Sequence, residues 1–70
     1  MNANLKNAIE TKRQNNEDIE NATRELRALV DKELNGETID RFYKSHLKQV
    51  VVGLYENAQW LENKIDAYDY

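Results

Sequence analysis

In the second half of the chain, apolar residues fall at Ile39, Tyr43, Leu47, Val50, Leu54, Ala58, Leu61, Ile65 and Tyr68. Steps of three and four mark one face of a helix, so this half predicts a helix over about 39–67. Val50-Val51-Val52 alone favours a strand, because valine is β-branched. Inside a stripe that continues on both sides, it reads as mid-helix. In the first half Leu5, Ile9, Ile19, Leu26, Val30 and Leu34 keep the same spacing. They predict a helix over about 2–34, some ~50 Å long.

The first stripe is the weaker one. Ile9, Asn16, Thr23 and Val30 share one heptad position, and Leu5, Lys12, Ile19, Leu26 and Glu33 share another. Polar residues therefore interrupt it, and the nearly all-polar stretch Thr11 to Asp18 is the expected place for fraying or a break. Asn16 stands either in water or at the core of an assembly, where a buried asparagine fixes register. Glu20 to Arg24 and Arg27 to Asp31 are four apart, a spacing at which opposite charges pair on a helix surface.

Between the stripes lies Leu34-Asn35-Gly36-Glu37-Thr38. Gly36 suits the left-handed position that ends a helix. Thr38 is the expected N-cap of the next helix, with Asp40 in its first turn, where the dipole favours negative charge. Neither flank alternates with period two, which excludes a β-hairpin. Reversal over 35–38 sets Val30 near Tyr43, Leu26 near Leu47, Ile19 near Leu54, Lys12 near Leu61, Ile9 or Ala8 near Ile65, and Leu5 near Tyr68. The predicted fold is all-α: one domain, 1–70, forming an antiparallel two-helix hairpin.

The second helix carries more apolar surface than one neighbour covers. Its main stripe is flanked by Val51, Val52 and Tyr55 on one side and by Phe42, Gly53 and Trp60 on the other. The resulting arc exceeds about 200° on a helical wheel, roughly twice what one packed helix shields. The expectation is a homodimer, two hairpins forming a four-helix bundle, with Val51, Gly53, Leu54 and Leu61 serving self-association. Gly53 either admits a second helix at close range or merely kinks its own.

Size and composition point the same way. Seventy residues bury a thin core, and without cysteine no disulfide supplements it. The start, Met1 to Glu10, lacks the apolar run of a signal peptide, and no segment is apolar enough to span a bilayer. The expected setting is the cytoplasm. Ten basic and 13 acidic residues leave a net charge of −3, which argues against a broad grip on nucleic acid.

Candidate chemistry is sparse. His46 and Ser45 are neighbours in sequence, so on a helix they point about 100° apart, which is no nucleophile–base pair. There is no His-Glu-x-x-His or Glu-x-x-His repeat and no phosphate-cradling glycine loop. The expectation is a non-enzymatic chain with no catalytic residue, metal, cofactor or small-molecule substrate. Contact with a larger protein would fall to Phe42, Val52, Tyr55, Trp60, Tyr68 and Tyr70, because aromatic residues dominate interface hot spots. Arg41, Lys44 and Lys48 share one face and would form a charged rim. The same three residues in a dimer are the basis of an alternative, a nucleic-acid-binding regulator. A second alternative is a purely structural oligomerisation module. In size, asparagine content and acidity the chain resembles small bacterial and phage proteins that inhibit or modulate one larger protein.

Overall fold

The computed structural model describes residues 3–68. Two helices, α1 (Ala3–Leu34) and α2 (Arg41–Asp66), fold back on one another as a hairpin. The molecule is a rod of 53 × 14 × 13 Å. Its long axis matches a 32-residue helix, which spans about 48 Å at the usual rise. α1 runs without a break through Thr11 to Asp18, the stretch expected to fray.

The reversal has a defined chemistry. Gly36 takes φ +83°, in the left-handed region that a side chain disfavours. The Glu37 N–H donates to the Lys32 carbonyl at 3.0 Å, and the Gly36 N–H donates to Glu33 at 3.0 Å. This pair of crossed bonds is a Schellman motif, and it occupies carbonyls that the end of α1 would otherwise leave open. Thr38 is not the N-cap of α2. Asp40 takes that role, its carboxylate accepting from the N–H groups of Phe42 at 2.9 Å and Tyr43 at 3.1 Å. An acceptor carrying full charge, placed at the positive end of the dipole, outcompetes a hydroxyl two residues earlier. The connection therefore extends through residue 40, and Ile39 becomes a half-buried part of it.

The seam uses a different row of α1 from the one its large residues suggest. Ala8, Asn15 and Ala22 are buried, each seven residues from the next, whereas Ile9 and Val30 are only half-buried and Asn16 is exposed. On α2 the buried residues are Leu47 and Leu61, with Leu54 midway between them and half-buried. Asn15 ties the two rows together: its Nδ2 donates to the Leu54 carbonyl at 3.1 Å, and its Oδ1 accepts from Asn57 at 2.9 Å. From that anchor the heptad register puts Ala8 opposite Leu61 and Ala22 opposite Leu47. Large side chains on α2 thus meet small ones on α1, which lets two slender helices fill the space between them. The polar stretch of α1 stays helical because its middle residue is this anchor.

Candidate functional site

The described residues expected to make contact all lie on or beside α2, and the structure distributes them over several places. Val52 and Gly53 share a shallow open groove with Arg41, Lys44 and Lys48, and Glu33 of α1 also lines it. Tyr55 lies on the neighbouring flank, where it lines a second groove with Ile19, Thr23, Arg24 and Arg27 of α1. Phe42 is 91% exposed and Trp60 57%. They share an azimuth on α2 but stand five turns apart, about 27 Å. Tyr68 is half-buried at the end of the seam, and Tyr70 lies outside the described residues. The aromatic residues therefore lie on two flanks of α2 and do not converge on one pocket.

Among the self-association residues, Leu61 is 2% exposed and belongs to the seam within one chain. Leu54 and Val51 are half-buried beside it. Gly53 faces outward: a Cβ built there meets no atom within 4 Å.

Two polar contacts of charged groups join the helices. The Lys44 ammonium donates to Glu33 at 2.5 Å, and the Tyr43 hydroxyl donates to Glu25 across the seam. The hydrogen bond from Lys44 holds the Glu33 carboxyl below its ordinary value of 4.5. The charges of Lys44 and Arg41 act in the same direction, and partial desolvation opposes them. For Tyr43 the bond to Glu25 pushes the phenol above its ordinary 10.0, aided by desolvation and the Glu25 charge.

These directions predict a pH dependence of stability on both sides, small because solvent reaches and screens both groups. A lowered carboxyl pKa stabilises the fold above pH 4.5, and that contribution is lost as pH falls through the folded value. A raised phenol pKa stabilises below pH 10.0, and that contribution is lost as pH rises through the folded value. Urea midpoints followed by circular dichroism should therefore fall at both extremes. Glu33→Gln should flatten the acid limb alone and Tyr43→Phe the alkaline limb alone. If each variant kept the parent curve, neither pair would contribute in solution.

The Trp60 ring carries the Lys64 ammonium 4.9 Å from its centroid, a cation–π contact that the sequence reading did not anticipate. In the second groove, Thr23 Oγ1 is buried with no hydrogen-bond partner. His46 is exposed. Among the described residues there is no cluster of His, Cys, Asp and Glu able to hold a metal ion, and no helix long and apolar enough to cross a membrane. No protein-family model matches the chain, and no curated protein or solved structure is significantly similar to it.

Proposed function

We propose that this chain is a non-enzymatic protein–protein interaction module: a self-associating helical hairpin that covers a site on a larger partner and so inhibits or modulates it. The observation that carries this reading is the outward surface of α2, where Phe42, Val52, Tyr55 and Trp60 are each more than half exposed. Such side chains forfeit about 1.5–3 kcal/mol each when left in water instead of buried. Total area points the same way. A compact monomer of this mass, 8.3 kDa, exposes about 4,600 Å², while the hairpin exposes 5578 Å². The excess, about 1,000 Å², is close to the ~800 Å² that each partner contributes to a standard interface. A second copy packed as a four-helix bundle would cover one flank of the rod, and the aromatic residues left uncovered would meet the partner.

Light scattering on the purified chain tests the first half of this reading: a homodimer is expected, and a folded, strictly monomeric species sinks it. For the second half, Trp60→Ala should abolish partner binding and leave helicity intact. Loss of helicity in that variant would assign Trp60 to the protein's own core.

Gly53→Ala separates the two glycine roles. With open space at the Cβ position, alanine should stabilise α2 by about 0.5–1 kcal/mol in thermal or urea unfolding. If the gain in helix propensity comes with weakened dimerisation, a second helix packs against residue 53.

A nucleic-acid contact ranks second. Arg41, Lys44 and Lys48 line one groove, which favours it. Against it, Lys44 is already bonded to Glu33, and the chain as a whole is acidic. A DNA gel shift that weakens steeply with salt would promote this reading, and its absence at low salt would remove it.

A further inference from the structure

Nine asparagines occur in the chain, and one of them, Asn35, precedes a glycine. The other described asparagines lie within α1 or α2, and past the first turn of α1 the following backbone is held in helical hydrogen bonds. Asn35 and Gly36 are both exposed, and a Cβ placed on Gly36 would meet no atom within 4 Å, so no neighbouring side chain crowds the glycine. We propose that Asn35–Gly36 is a deamidation site, held shut by the cap that reverses the chain.

The chemistry is internal. The Gly36 amide nitrogen gives its proton to hydroxide and attacks Cγ of Asn35. A new C–N bond forms, the bond from Cγ to the side-chain nitrogen breaks, and ammonia leaves with the proton it needs from water. The five-membered succinimide then takes up water at either carbonyl. One opening gives aspartate and the other isoaspartate. Glycine favours the attack because no side chain shields its nitrogen.

In the folded hairpin that nitrogen is engaged. The Gly36 N–H donates to the Glu33 carbonyl at 3.0 Å, and Asn35 N–H is itself bonded back into α1, to Asp31 at 3.0 Å. To reach its neighbour's side chain, the Gly36 nitrogen must leave Glu33, which means opening the Schellman turn. The reaction rate therefore tracks the population of the opened cap. Of the two products, isoaspartate does not restore the cap, and aspartate restores it under a new charge. Isoaspartate inserts an additional carbon into the main chain at the reversal. Either acid adds a negative charge at the negative end of the α1 dipole, between Glu33 and Glu37. The change is a one-way loosening of the element that holds α1 and α2 together.

The test is timed incubation of the full chain in warm, mildly alkaline buffer, with a parallel sample in urea. Peptide mapping locates each new acid, and an isoaspartyl assay separates the two products. Acid is expected at residue 35 ahead of every other asparagine. It should form at least about tenfold more slowly in the folded sample than in urea, because cap opening precedes the attack. Asn35→Ala should remove the signal, and the purified isoaspartyl product should melt at a lower temperature than the parent. Equal rates in buffer and urea would overturn the gating. Acid that appears first at another asparagine, or no acid at residue 35 even in urea, would overturn the site.

Discussion

Leu61→Ala should cost about 2–5 kcal/mol in urea unfolding and leave a large share of the chain unfolded in water. Leu61 is the most buried of the core side chains, at 2% exposure. The heptad register from Asn15 sets it opposite the short Ala8, which cannot extend to fill the vacated volume. A chain of this length has only roughly 4–10 kcal/mol of total stability to lose. Leu34→Ala is the control, because Leu34 is 79% exposed and its truncation should change stability by about 0.5 kcal/mol or less. If the two variants unfolded at similar urea concentrations, the seam described above would not be the one that holds the protein together.

Asn15→Asp is expected to be nearly as damaging, by a different route. The substitution keeps the shape of the side chain and changes its chemistry. Asn15 is 4% exposed, and its Nδ2 donates to the Leu54 carbonyl. A carboxylate has nothing to donate, so a negative charge would face a carbonyl oxygen in a poorly solvated seam. An uncompensated buried charge costs about 3–5 kcal/mol. Protonation supplies a donor again. The variant's carboxyl should therefore titrate above the ordinary aspartate range, and its stability should rise toward the parent's as pH falls through that value. Unfolding curves across the acid range check this, and a variant whose deficit did not depend on pH would refute it. Asn15→Leu should fold at least as stably, since replacing a buried polar group by a well-packed apolar one is often stabilising. The two helices of that variant would have lost the contact that pins their register.

Both residues show how far the bare pattern of side chains reaches. The two helices, the left-handed glycine and the antiparallel reversal were legible, because periodicity and Asn-Gly chemistry are local properties. The register was not: the pattern set Ile19 beside Leu54, one helical turn from the Asn15 that bonds to the Leu54 carbonyl. The seam in α1 was not. Side-chain size favoured the row of Ile9 and Val30, yet the hairpin buries the row of Ala8, Asn15 and Ala22. Complementarity fits that choice: Leu47, Leu54 and Leu61 supply bulk on α2, and the buried residues of α1 are two alanines and an asparagine. That preference belongs to the pair of helices and is invisible in either alone. The same applies to Asn15 and Asn16, which are adjacent in sequence and separated in role by one step of the helix. The cap of α2 was missed for a related reason, since Thr38 and Asp40 are both competent caps and the carboxylate can engage two amides. The apolar surplus of α2 was visible in outline. The wheel separated Val52, Phe42 and Trp60 from the main stripe, and these are the side chains that face outward. That Leu61 lies fully inside one chain depended on knowing the seam.

Trp60 is the chain's one indole, and it stands outside the seam under an ammonium group. Its emission should be red-shifted and partly quenched in the free protein. Unfolding should alter that light only modestly, whereas any body that settles over α2 and displaces Lys64 should brighten it and move it to the blue. The chain thus carries an intrinsic optical probe that responds to capture more than to collapse.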